Sequence, residues 1–180
     1  PGTTIPSGPV WTHEVKWDGM RVLVDLTPRS VVLRSRNEND VTVSFPELAD
    51  IGAGPLAGRD ALLDGEVVAF LDGVPTFGAL ADRMHVRSAR KAAELAVVNP
   101  VTLLVFDLLR LDGEELTHLP LRERRAVLDG LGVTSVHWQV PASYDDGEML
   151  MRATAQQRLE GVVSKKLSSR YYPGRRTKDW

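Results

Sequence analysis

The stretch Val101-Thr102-Leu103-Leu104-Val105-Phe106-Asp107-Leu108-Leu109 constrains this chain most. It lacks the apolar/polar alternation of a strand wetted on one side, and it is far too short to span a membrane as a helix. Read as a strand, it must be covered on both faces. A fold that holds it needs layers on either side of a sheet, and 180 residues suffice for one substantial domain of that kind. With 43% apolar and 26% charged residues, the chain has globular composition and not that of a disordered one.

The remaining segments supply those layers. Trp11–Trp17 reads as a strand. Met20–Leu26 and Ser30–Ser35 form a hairpin around Thr27-Pro28-Arg29, and Val41–Phe45 reads as a short strand before a helix opened by Pro46. Ala61–Phe70 is a long strand closed by Leu71-Asp72-Gly73; Phe77–Met84 and Ser88–Ala96 read as helices. After the Leu111-Asp112-Gly113 turn, Pro120–Leu131 is an amphipathic helix that stops before Gly132. Val136–Val140 is a strand, Asp145–Arg158 a helix with two acids in its first turn, and Gly161–Leu167 a last strand before a basic tail. Strands joined by hairpins and by helices predict an α+β fold of mostly antiparallel sheets flanked by helices.

Several function classes fall away. No cysteine is present, which removes disulfides and thiolate metal sites. The four histidines, His13, His85, His118 and His137, show no ligand spacing and are taken as structural or exposed. A net charge of −2 argues against a uniformly basic nucleic-acid coat but leaves room for a local basic patch. No Gly-rich loop of the Rossmann or P-loop kind occurs, and no membrane span or signal peptide is visible.

The chemistry concentrates in a few segments. In Glu14-Val15-Lys16-Trp17-Asp18-Gly19-Met20-Arg21, a lysine precedes an Asp-Gly turn and an arginine follows it. Lysine becomes a nucleophile only when burial or nearby cations favour its neutral form; Arg21 suits that task, Asp18 suits aiming the amine, and Gly19 lets backbone pass close to a ligand. An ordinary exposed lysine before a turn fits this octapeptide equally well. In Leu63-Asp64-Gly65-Glu66-Val67 the two acids share one strand face and need a metal, a ribose hydroxyl or an arginine as partner. Phe106, read from its neighbours alone, is core. Glu160-Gly161-Val162-Val163-Ser164-Lys165-Lys166 places an acid and two lysines on an otherwise apolar strand, as a metal and phosphates would require. Arg34 and Arg36 share a face and could grip a phosphate, and the tail Arg170-Tyr171-Tyr172-Pro173-Gly174-Arg175-Arg176 interleaves cations with tyrosines.

Taken in this order, the segments resemble the nucleotidyltransferase domain of ATP-dependent DNA ligases, above all the bacterial ligases of non-homologous end joining. The resemblance runs from about Trp11 to Trp180. It implies a ligase and capping-enzyme fold, ATP-grasp-like, with sheets and helices around a nucleotide cleft. Lys16 would attack ATP and carry AMP covalently. Glu14 would meet the adenine amino group, with backbone near Val15 and Trp17 and with Phe106 stacked under the ring. Glu66 and Glu160 would serve ribose and a magnesium or manganese ion, Arg36 a phosphate at the nick, and Arg176 the nucleotide phosphates. Lys16, Asp18 and Arg21 form the implied catalytic set.

Implied partners are nicked or broken duplex DNA and a DNA-end-binding repair protein, in the bacterial cytoplasm at the nucleoid and away from any membrane. The family's Lys-x-Lys strand and its oligonucleotide-binding barrel would follow Trp180, so residues 1–180 read as an adenylation domain cut before that second domain. RNA ligases and mRNA capping guanylyltransferases also use a lysine before Asp-Gly, and an inert nucleotide- or DNA-binding module is a third reading.

Overall fold

Residues 4–133, 135–175 and 177–180 are described by the structure, a computed structural model. The strands are β1 (Trp11–Lys16), β2 (Met20–Thr27), β3 (Ser30–Ser35), β4 (Ala61–Leu71), β5 (Val74–Pro75), β6 (Val101–Leu111), β7 (Glu114–Glu115), β8 (Trp138–Gln139) and β9 (Gly161–Lys166). The α-helices are α1 (Ala89–Val98), α2 (Leu121–Gly130) and α3 (Gly147–Gln156). The larger sheet runs β3-β2-β4-β6-β7, with β5 on β4 and β8 on β6; β1 and β9 form a separate two-stranded sheet. All of these pairings are antiparallel except β6 with β8. The expected α+β class holds.

The long apolar strand lies where its composition demands. β6 pairs with β4 on one side and with β7 and β8 on the other, and Val101, Leu103, Val105 and Leu108 join one core with Val22, Val24, Leu63, Val67 and Trp138. Burying each such side chain contributes about 1.5–3 kcal/mol. The opposite face of β4 and β6 carries Asp64, Glu66 and Phe106, and this face becomes the floor of the site.

Three expected elements differ. Val41–Phe45 is not a strand: Thr42–Ser44 form a 3-10 turn. Asp40 accepts from the Thr42 backbone N–H at 2.9 Å, and the Ser44 and Phe45 amides turn back to Val41 and Thr42. These local bonds win over the β-propensity of Val and Thr. Phe77–Met84 is only one 3-10 turn, Phe77–Leu80, capped by Thr76, before the chain bends to send Arg83 inward to Glu47 at 2.8 Å. Pro46 opens a segment that is likewise 3-10, over Pro46–Gly52.

Candidate active site

Strand pairing assembles the site. Lys16, the last residue of β1, pairs with Gly161, the first of β9, so the nucleophile candidate meets the acid just before that strand. The Lys16 ammonium forms an ion pair with Glu160, and both side chains are partly open to solvent. The register of β2 on β4 sets Arg21 opposite Glu66 and Leu23 opposite Asp64, which brings the second charged segment onto the same face.

Gly19 explains how the two strands come this close. A Cβ there would stand 2.3 Å from the Val67 carbonyl oxygen and 2.9 Å from Glu66 Cγ. The missing side chain thus lets the Lys16 loop lie against β4, rather than serving only approach to a ligand as the sequence suggested.

Asp64 is fully buried and takes the arginine among its candidate partners. Arg21 donates through Nε to Oδ1 at 2.9 Å and through Nη2 to Oδ2 at 2.5 Å, and the Tyr171 hydroxyl donates to Oδ2 at 2.8 Å. This bidentate bond holds the Arg21 guanidinium firmly protonated, and burial beside Asp64 raises the Tyr171 phenol above its ordinary value. Arg21 is therefore matched to Asp64, not free beside Lys16. Asp18 accepts from the Phe77 backbone N–H at 2.9 Å, so it ties the Lys16 loop to the 3-10 turn instead of gripping the amine.

Glu66 has no hydrogen-bond or ion-pair partner of that kind among the described residues. Burial pushes its carboxyl up to about 7, against the opposing pull of Arg21 and Lys16. Its folded value lies above the unfolded one, so the native state holds the proton more tightly, and stability falls as pH rises from about 4.5 to about 7. Without divalent cations, Glu66→Gln should exceed wild type in stability at pH 8 by on the order of 2 kcal/mol and match it near pH 4. Urea unfolding at the two pH values measures this; an unchanged difference between them refutes it.

Phe106 is half-buried on the cleft face rather than in the core. Two cations stand over its ring: Lys165 Nζ at 4.6 Å from the centroid and the Arg21 guanidinium at 5.8 Å. Glu14 is buried, with Oε2 accepting from Lys165 at 2.7 Å and Oε1 from Arg125 at 3.3 Å. Trp180 closes this corner, its ring 4.4 Å from Lys165 Nζ and edge-on to Tyr171. Val15 and Trp17 flank Lys16 and are partly buried.

Other expectations meet a different geometry. Arg36 lies beyond the end of β3 in an exposed turn, so it does not share a strand face with Arg34. Lys165 and Lys166 are matched to Glu14 and Asp179. Arg176 lies outside the described residues. His13, by contrast, is structural as the sequence allowed: it is buried, its Nδ1 against Ser164 Oγ at 2.9 Å, with burial lowering its pKa.

Sequence reasoning missed Arg124 and Arg125. Arg124 is fully buried and binds Asp107 through Nε and Nη2, each at 2.8 Å. A signal existed: Leu121, Arg124 and Leu128 follow the spacing of one helix face, so an arginine occupies an apolar position of α2.

Glu66 and Glu160 suit a hard divalent cation: both offer carboxylate oxygens near Lys16, and burial disfavours the ionised form of Glu66 more than the nearby cations favour it. No group of three or more metal-binding side chains occurs among the described residues. A magnesium site resting on one or two carboxylates and substrate phosphates does not need one.

Comparison with known proteins agrees with this geometry. The profile of the family "ATP dependent DNA ligase domain" matches residues 5–180. The multifunctional non-homologous end joining protein LigD of Mycolicibacterium smegmatis is 38% identical over 174 residues, which cover 94% of this chain and 21% of that protein. DNA ligase 1 of Korarchaeum cryptofilum is 37% identical over 174 residues, covering 93% of this chain and 31% of that one. The crystal structure of the ligase domain from M. tuberculosis LigD superposes with a TM-score of 0.80 at 34% identity, covering 97% of this chain and 56% of that one. A mycobacterial DNA ligase D complexed with ATP and MES gives 0.79 at 33% identity. This chain thus spans about a fifth of the LigD relatives it matches. With a family match over nearly its whole length, and with strand pairing bringing Lys16 to Glu160 beside the face that bears Glu66 and Phe106, the chain belongs to the ATP-dependent DNA ligase domain family.

Proposed function

We propose that this domain adenylates itself on Lys16 and passes the AMP to a DNA 5′-phosphate for strand sealing in bacterial end-joining repair. The observation that carries this is the pairing of β1 with β9, which sets Lys16 beside Glu160 at the rim of a face bearing Glu66 and Phe106.

Lys16 must first lose a proton. Glu160 is paired with the ammonium, and turning that carboxylate to a metal ion would favour the neutral amine. The neutral amine then forms an Nζ–P bond at the α-phosphate while the bond from that phosphorus to the bridging oxygen breaks and pyrophosphate leaves. Phe106 carries the adenine, Glu14 meets its amino group, and backbone near Val15 and Trp17 completes the base pocket. Arg21, held by Asp64 and Tyr171, presents one guanidinium edge to the nucleotide, and Asp18 keeps the Lys16 loop in place through Phe77. Arg36 and Arg176 serve phosphates of nucleotide or nick. Glu66 and Glu160 would hold a magnesium or manganese ion, which when bound offsets charge on the phosphates. Most of the acceleration then comes from positioning and charge stabilisation.

In the last two steps AMP moves to the 5′-phosphate of a break, and a 3′-hydroxyl displaces it. Those steps need duplex DNA held from the other side. An oligonucleotide-binding domain in the full protein and a DNA-end-binding partner fit that need, in the cytoplasm. No helix among the described residues is long and apolar enough to cross a membrane.

Incubating the intact protein with α-labelled ATP and magnesium should leave label on the denatured chain, released again by pyrophosphate. GTP should label it far less, and nicked DNA should discharge it better than nicked RNA. The 180-residue chain alone should seal nicked duplex at least about 10²-fold more slowly than the intact protein. Sealing assays on both forms decide this, and equal rates would remove the second domain from the mechanism.

A further inference from the structure

Glu14 holds two cations, and they are anchored very differently. Arg125 reaches Oε1 from α2 while its Nε donates to Asp129 Oδ1 at 2.9 Å and its Nη2 to the Pro141 carbonyl. Acceptors on a helix, a strand and a loop therefore fix one planar guanidinium. Lys165 reaches Oε2, and Glu14 is its one hydrogen-bond partner among the described residues. Its ammonium also stands over two aromatic faces, at 4.6 Å from the Phe106 centroid and 4.4 Å from that of Trp180. Its four-carbon stem is flexible, but the pair is buried, so the nucleotide's own contacts must offset the loss when the ammonium swings away. A purine laid on that face of Phe106 takes the ammonium's place. Lys165 then releases Oε2, while Arg125, on the far side, keeps Oε1.

We propose that Arg125 is a positioning residue for base selection: it grips Glu14 so that the second carboxylate oxygen is aimed at the exocyclic amine of adenine once Lys165 withdraws. This rests on the reading that adenine stacks on Phe106 and meets Glu14. A carboxylate offers only acceptors, so a fixed Oε2 rewards a 6-amino donor and opposes the 6-keto acceptor of guanine. Without Arg125, Oε1 is buried without a partner and the carboxylate is free to turn toward Lys165. The 6-amino group then meets no fixed acceptor.

The experiment compares ATP with purine riboside triphosphate, which lacks the 6-amino group, as donors for labelling Lys16 in the intact protein. Wild type should prefer ATP. Arg125→Met should shrink that preference by about tenfold or more, mainly through a raised KM for ATP with a nearly unchanged maximal rate. Arg125→Lys, which restores a charge but not the fork, should fall between them and guards against a Met variant that does not fold. Thermal melting of both variants reports on folding. Equal losses toward both nucleotides in a folded variant reduce Arg125 to a structural role and overturn the proposal, as does a wild-type preference that both variants keep. If wild type is labelled by ATP but shows no preference, the Glu14 reading fails and takes this inference with it. If wild type is not labelled at all, the proposed function itself fails.

Discussion

Lys16→Ala protein should retain no AMP after denaturation, with labelling reduced at least about 10³-fold, while its unfolding midpoint stays within about 0.5 kcal/mol of wild type. The two halves have separate physical causes. The Lys16 side chain is 48% exposed and its ion pair with Glu160 sits at the rim, where such pairs contribute about 0–1 kcal/mol. Its removal costs the fold little. The chemistry has no substitute among the described residues, because the pairing of β1 with β9 brings this amine to Glu160, and Arg21 is matched to Asp64. Lys16→Arg sharpens the test. Arginine keeps a positive charge for Glu160 but does not release its proton in proteins, so it preserves the ion pair and still takes no AMP. Denaturing electrophoresis after incubation with α-labelled ATP, with a mass shift of one AMP as the second readout, decides the matter. Label retained by the alanine variant at another side chain would remove Lys16 from its role.

Arg124→Met should destabilise the domain by about 3–5 kcal/mol, the largest stability effect expected of any single side chain here. Arg124 and Asp107 have no exposed side-chain surface, and their two 2.8 Å bonds form a bidentate pair. The same guanidinium donates to the carbonyls of Leu119 and Ser169, so it joins β6, α2 and the segment after β9. Methionine fills the space but leaves Asp107 as a buried charge, with the Leu108 N–H its remaining donor. A loss of that size is a large share of a stability of about 5–15 kcal/mol. Replacing both partners by leucine should recover much of it, because no charge is then stranded. Arg59→Ala, which breaks an exposed pair with Asp112, should change stability by less than about 1 kcal/mol. Urea denaturation curves measure all three. A loss below about 1 kcal/mol in Arg124→Met would show that water reaches Asp107. Because Asp107 follows Phe106, the destabilised variant should also bind ATP more weakly.

The ordering of charged segments made the site readable before any coordinates. Lys16 before Asp18-Gly19, the Asp64 and Glu66 strand, and Glu160 ahead of Val162 and Val163 each placed a charge where an apolar strand would reject it without a partner. The strands read at Ala61–Phe70 and Val101–Leu109, which run to Leu71 and Leu111 in the fold, were legible for a simpler reason: sustained apolar β-branched and aromatic runs followed by Asp-Gly turns have few alternatives. Val41–Phe45 was not legible, because its propensity was overruled by the Asp40 side chain and by turn bonds two or three residues apart.

Local sequence thus determined the strands, the turns and which residue types face the cleft, since side-chain alternation and turn chemistry are properties of a few neighbouring residues. It did not determine who pairs with whom. Asp64 took Arg21 and Tyr171, Glu14 took Lys165 and Arg125, and Lys16 met Glu160, across separations of 43 to 151 residues where a hydrogen bond links them. Those choices depend on strand register and on which groups burial leaves without water, and only the folded chain sets both.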